Sequence, residues 1–260
     1  MHVRRREGGR QAIHCSVTGS VSLDAYKKGI NMSRIIRTFY EYEDKELTPD
    51  LLQNIVISYL EKLETSSARI AIAFDYPMRV PSLRSGLSGY QYYPVVFESV
   101  ISADGILRHF MHLDFEYSSA CPCSYELGVH ASETRNIAVV PHSQRSVAKI
   151  SIEYSRLLWI EDLVELCRRA LVTETQVMVK REDEQAFAEM NGAYLKFVED
   201  AVRLLYTELD NEERIQDFRV FANHMESLHS HDAISVVVKG VEGGYNAQID
   251  PFGYGGMMPR

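Results

Sequence analysis

The sequence predicts an α+β fold in which antiparallel sheets carry helices layered on one face. Three observations predict it. Runs with apolar residues at every second position come in neighbouring pairs, as hairpin strands do. Stretches with apolar residues at helical spacing lie between those pairs. No Ser/Gly/Pro-rich linker or long charge block divides the chain.

Residues 1–11 form a basic start that is expected to be a flexible N-terminal tail. Residues 12–25 read as a strand. Thr48-Pro49-Asp50 is a helix start, with a capping hydroxyl, Pro at the first helical position and an acid beside it. Leu52, Ile55, Val56, Tyr59, Leu60 and Leu63 then give that helix one apolar face. Ile70, Ile72 and Phe74 alternate within a strand from Arg69 to Tyr76. Two further strands, Gln91 to Ser102 and Leu107 to Ser118, flank the Asp104-Gly105 turn as a hairpin.

The second half repeats the order of elements without a readable sequence repeat. Ser146 to Tyr154 alternates as a strand, and helices follow from Ile160 to Ala170 and from Leu195 to Leu209. Phe218 to Ser227 and Ala233 to Lys239 read as a closing strand pair. The expected organisation is a central region, 12–240, in two similar halves, 12–120 and 121–240, followed by a C-terminal tail, 241–260.

Charge and composition exclude several classes. The chain has 28 Lys plus Arg against 36 Asp plus Glu, a net charge of -8, which argues against a protein that coats nucleic acid. A local basic pocket for one small anion stays compatible with it. No run of about 18 uncharged apolar residues predicts a membrane span. The start lacks the apolar core of a signal peptide, so a cytoplasmic location is expected. Cys15, Cys121, Cys123 and Cys167 are not spaced as a secreted disulfide framework.

Five constellations can carry chemistry. Cys121-Pro122-Cys123-Ser124, at a strand end, reads as a metal site, a reactive thiol or two small buried residues. His142, in Pro141-His142-Ser143-Gln144-Arg145-Ser146, reads as a ligand or a satisfied surface imidazole. Glu174, past the end of a helix and before Lys180 and Arg181, reads as a ligand or a solvated exit. Glu189, ahead of the next helix, reads as a binding carboxylate or a helix N-terminal acid. His229 and His231, two apart in Glu226-Ser-Leu-His-Ser-His-Asp232, share a face if the backbone is extended. A thiolate, an imidazole and a carboxylate together leave a coordination position for water, the catalytic zinc pattern. Water bound there has a pKa near about 7, and a nearby His can shuttle its protons.

Several blocks in order resemble the type IB GTP cyclohydrolases. They are Lys28-Gly-Ile-Asn-Met-Ser-Arg34, Cys121-Pro-Cys-Ser, His142-Ser-Gln-Arg-Ser, Lys180-Arg-Glu-Asp-Glu, Phe197-Val-Glu-Asp and Glu226-Ser-Leu-His-Ser-His-Asp-Ala. The resemblance covers Ile13 to Val238. It implies a tunnelling fold, with tandem antiparallel sheets assembled into an oligomeric barrel, and a homotetramer with active sites at subunit interfaces. It implies hydrolytic opening of the guanine imidazole ring of GTP, with loss of formate, to give 7,8-dihydroneopterin triphosphate, the first pterin on the folate route.

The resemblance also assigns residues. Cys121, His142 and Glu174 are implied as ligands of a divalent metal, zinc, manganese or iron. Glu189 is implied to hold the purine, since one carboxylate accepts from both N1–H and the 2-amino group of guanine. His229 and His231 are the implied proton-transfer groups, and Cys123 is placed near the attacked carbon. Arg34, Arg145, Lys180 and Arg181 are expected to meet the triphosphate. The stretch Tyr125–Pro141 is longer than the family spacer and contains His130 and Glu133. His142 takes the ligand position over His130 because Ser-Gln-Arg-Ser follows it, while Glu182 and Glu184 stand close to Glu174. Three other readings remain open: an archaeal-type relative forming a cyclic phosphate, a nitrile reductase of the same fold, and a structural metal clip.

Overall fold

The computed structural model describes residues 1–249. Among them the chain runs β1 (His2–Arg4), β2 (Arg10–Ala12), β3 (Cys15–Val21), α1 (Met32–Tyr40), β4 (Glu46–Leu47), α2 (Pro49–Leu63), β5 (Ala68–Pro81), β6 (Ser88–Ile101), β7 (Leu107–Ala120), α3 (Pro122–Arg135), β8 (Ser143–Tyr154), α4 (Ile160–Leu171), α5 (Arg181–Ala193), α6 (Val198–Asp210), β9 (Ile215–His224) and β10 (Ala233–Val238).

Strand alternation decides the architecture. Seven strands form one antiparallel sheet in the order β10-β9-β8-β7-β6-β5-β3. Ile70, Ile72, Val95, Leu113, Phe115, Ile150, Ile152, Phe218 and Val220 share one core with the apolar faces of α2, α4 and α6. Each such side chain, fully buried, contributes roughly 1.5–3 kcal/mol relative to exposure. Arg69, Glu98, His112, Ser151 and Arg219, at alternate strand positions, bring polar groups to the opposite face. The predicted α+β architecture is thus present.

The strongest sequence signals formed as expected. Thr48 Oγ1 accepts the Leu51 N–H at 3.1 Å with Pro49 beside it, and Leu52, Ile55 and Val56 of α2 are fully buried. At the β6–β7 turn Gly105 has φ +81°, a conformation glycine adopts without strain, and its N–H donates to the Ser102 carbonyl at 2.9 Å.

Several expectations need correction. The strand expected at 12–25 is shorter, Cys15–Val21. Residues 1–11 are not a loose tail. β1 and β2 pair antiparallel, β1 pairs with β4, and the Arg6 guanidinium bonds Asp162 at 2.8 Å and also Glu165. Of the expected C-terminal tail, residues 241–249 lie against β9, where the Tyr245 N–H donates to Asp217 at 2.7 Å and Arg219 donates to the carbonyls of Asn246 and Gln248. Residues 250–260 lie outside the described residues. The two expected halves belong to one sheet, because β7 pairs with β8 from His109↔Tyr154 to Ala120↔Ser143, across the division at 120.

Candidate active site

The β7–β8 ladder builds the centre of the site. Ala120 pairs with Ser143, and one step further the Cys121 N–H donates to the His142 carbonyl at 3.1 Å. Cys121 also precedes α3, with Pro122 at the helix start. So the two blocks, 21 positions apart in sequence, meet where the ladder ends. The stretch 125–141 is the rest of α3 to Arg135 and a loop back to β8, and His142 N–H is held by Ser124 Oγ at 3.0 Å.

His142 has a defined orientation. Its Nδ1 lies 3.2 Å from Gln144 Oε1 and 3.7 Å from Glu226 Oε2. Gln144 is fixed in turn by donating to Ser119 Oγ at 2.8 Å. Both of these oxygens are acceptors, so they suit an Nδ1–H and orient the ring with Nε2 pointing away from them, the arrangement in which imidazole binds a metal. Glu226 stands three residues before His229 in the Glu226–Ala233 block, and that place in the motif is the one mark it leaves in the sequence.

Glu174 sits just beyond α4, where it bridges Tyr117 of β7. Its side chain is 8% exposed and already engaged: Arg168 Nε donates to Oε2 at 2.6 Å, and the Tyr93 hydroxyl donates to Oε1. Burial, followed by the neighbouring carboxylate, pushes the Tyr93 hydroxyl far above its ordinary range. Burial opposes the Arg168 charge, but Glu174 outweighs it and raises Arg168. The thiol, imidazole and carboxylate are the right donor types for a divalent cation. Among the described residues, however, no three His, Cys, Asp or Glu side chains are gathered closely enough to hold an ion.

A cleft of about 640 Å³ connects these blocks. Its lining includes Ala120, next to Cys121; Pro141 and Ser143, on either side of His142; Thr175, next to Glu174; and Ala188, next to Glu189. Arg145 and Phe187 also line it, which offers a cation and an apolar ring to one ligand.

The other assigned residues are mostly on the surface of the chain. Glu189 is not a helix N-terminal acid; it lies within α5, half exposed and ion-paired with Arg84 of the β5–β6 turn. Arg84 is 105 positions away, so no sequence spacing could have indicated it. His229 and His231 lie on the turn between β9 and β10 rather than on a strand, yet their rings stack with centroids 4.9 Å apart. Cys123 is exposed on α3. Arg145 is largely exposed, with Glu116 3.9 Å away. Lys180 and Arg181 are exposed where α5 begins. Arg34 does not join this group; its guanidinium donates to the Lys62 carbonyl at the end of α2.

A buried polar pair joins β7 to β9. Tyr117 OH and His224 Nε2 are 2.9 Å apart. Burial, aided by Lys196, lowers His224 to about 4, so its ring is neutral at pH 7. No helix among the described residues is long and apolar enough to cross a membrane.

Comparison with known proteins places the chain in a family. The family described as type I GTP cyclohydrolase folE2 matches residues 1–235. GTP cyclohydrolase FolE2 of Roseobacter denitrificans is 56% identical over 238 residues, covering 90% of this chain and 65% of the relative. That of Paracoccus denitrificans is 54% identical over 253 residues, covering 97% of this chain and 78% of the relative. The chain therefore spans just under two thirds of the length of the first of these relatives. Among solved structures, the uricase of Arthrobacter globiformis aligns with a TM-score of 0.53 at 10% identity, over 97% of this chain and 93% of that one. At that identity the likeness concerns the fold alone, and it is the tunnelling fold.

Proposed function

Because this chain belongs to the type I GTP cyclohydrolase folE2 family, we propose that it opens the imidazole ring of GTP with water, releases formate and yields 7,8-dihydroneopterin triphosphate, the entry to folate-type pterins. The observation that carries this reading is the cleft bordered by the chain neighbours of Cys121, His142, Glu174 and Glu189. Four blocks far apart in sequence border one space large enough for a nucleotide.

In this reading Cys121, His142 and Glu174 hold a divalent metal, zinc, manganese or iron. The bound ion supplies a Lewis acid and a water that ionises near neutral pH. Glu174 must exchange Arg168 for the ion, which makes Arg168 its counter-charge in the metal-free protein. Gln144 and Glu226 hold the imidazole of His142. Glu189 accepts the guanine N1–H and 2-amino protons, and adenine presents no such pair. His229 and His231 carry protons to the ring nitrogen or the ribose oxygen, with Cys123 nearby. Arg145, Lys180 and Arg181 bind the triphosphate, while Arg34 contributes only from another subunit. A homotetramer with interface sites fits Glu189, His229 and His231 being exposed on a single chain.

The test is stoichiometry. Metal-loaded protein should release one formate for each GTP consumed and leave ATP untouched. GTP consumption without formate would remove ring opening from the reading.

A further inference from the structure

Lys196 precedes the Phe-Val-Glu-Asp block and is only 4% exposed. Its ammonium donates to Thr173 Oγ1 at 3.1 Å and to the Tyr194 carbonyl at 2.6 Å, both neutral acceptors. Among the described residues it forms no ion pair with a carboxylate. Buried lysines are rarely left that way, because the charge loses its hydration without a counter-ion. His224 of β9, which feels the Lys196 charge, is a neutral ring at pH 7 and brings no negative charge to it.

The connections of Lys196 show what it joins. Its backbone N–H donates to the Ala120 carbonyl at 3.2 Å, one residue before Cys121. Thr173, one residue before Glu174, is itself tied to β7: its hydroxyl donates to the Ser118 carbonyl at 2.5 Å, and its carbonyl accepts the Ser118 N–H at 2.8 Å. Tyr194 ends α5, the helix that carries Glu189. One residue thus touches the three segments on which the assigned thiol, carboxylate and purine-binding acid are mounted: its side chain joins the last two through Thr173 and Tyr194, and its backbone N–H joins them to the first through Ala120.

We propose that Lys196 is a positioning residue that fastens these three segments to one another, and that its unpaired charge is retained for the site although it lowers the stability of the fold. Replacing a buried charge by an apolar side chain of similar length is often neutral or stabilising. Burial lowers the Lys196 ammonium to about 8, in keeping with a charge held against the preference of its surroundings. The inference rests on the functional reading only for what the segments do; the fastening itself is independent of it.

The experiment compares the full chain with Lys196→Met, Thr173→Val and the double variant. Three readouts are used: melting temperature, amide hydrogen exchange, and steady-state turnover of GTP. Lys196→Met is expected to melt at or above the parent temperature. Exchange at Ser118, Thr175 and Lys196, whose amides bridge the joined segments, should be about tenfold faster. Turnover should fall about 10- to 100-fold, the range seen when a residue supporting a ligand is lost, with KM changed by less than about twofold. Thr173→Val should reproduce the local exchange, and the double variant should be no worse than either single one. A lower melting temperature for Lys196→Met, unchanged exchange at those amides, or additive losses in the double variant overturns the proposal. If the parent chain makes no pterin, the functional reading fails separately, and melting and exchange still decide the role of Lys196.

Discussion

Arg168 grips the Glu174 carboxylate along its edge, with Nε 2.6 Å from Oε2 and Nη2 3.4 Å from Oε1. The Arg168 Nη2 also donates to the Tyr93 hydroxyl at 2.8 Å, which closes a three-residue network between α4, β6 and the segment after α4. A residue assigned to a metal is therefore, in the single chain, half of a buried ion pair.

That pairing predicts the effect of Arg168→Met. The variant leaves a carboxylate 8% exposed without its cation. Losing one partner of a buried pair costs about 3–5 kcal/mol, and the partial exposure of Arg168 places the expected loss near about 3 kcal/mol. Urea unfolding of the metal-free protein measures it. A loss below about 1 kcal/mol would show the pair to be a surface contact.

Cys121→Ala is expected to abolish GTP turnover and lower metal content, since the thiol is one of the assigned donors. Elemental analysis and a pterin assay on the same preparation read both effects. Full activity in this variant would remove Cys121 from the metal.

Glu189→Gln is expected to raise the KM for GTP about 10- to 100-fold while metal content stays unchanged, because a charge-assisted contact to the base is replaced by a mismatched amide. The same substitution breaks the ion pair with Arg84, but that exposed pair contributes little to stability. An unchanged KM would leave Glu189 without its assigned role.

Acid should unfold the chain through identifiable groups. Burial alone would raise Glu98, but hydrogen bonds from His112 and Arg69 outweigh it and hold its carboxyl at about 2. A depressed carboxyl stabilises the fold above its unfolded pKa, and that contribution disappears as pH falls from about 4.5 towards 2. The difference corresponds to about 3 kcal/mol. His224, lowered to about 4 chiefly by burial, acts earlier: the unfolded chain takes up its proton first, so stability falls between about 6.5 and 4. In urea midpoints measured against pH, Glu98→Gln should flatten the lower window and His224→Gln the upper one. An unaltered profile in either variant would contradict its assignment.

The sheet was legible because its strands obey a two-residue alternation that burial of one face imposes; Ile70 to Tyr76 and Met111 to Tyr117 show it. α2 was legible from its cap and stripe. α3 and α5 were not, because α3 buries none of its side chains and α5 buries only Asp183, leaving no apolar period to read. The β1–β2 pair was hidden for another reason: Arg6 is held by acids of α4 more than 150 positions away. Of the site, the Cys121 and His142 blocks were legible as motifs, and the ladder register that joins them came only with the fold. The partners of Glu174 and Glu189, Arg168 and Arg84, follow from tertiary packing and leave no mark in a motif.

The most direct test of the central claim is anaerobic incubation of the metal-loaded protein with GTP, followed by oxidation and analysis of the fluorescent products. Neopterin triphosphate is the predicted product. A cyclic phosphate, or no pterin with zinc, manganese or iron, would contradict the proposed reaction.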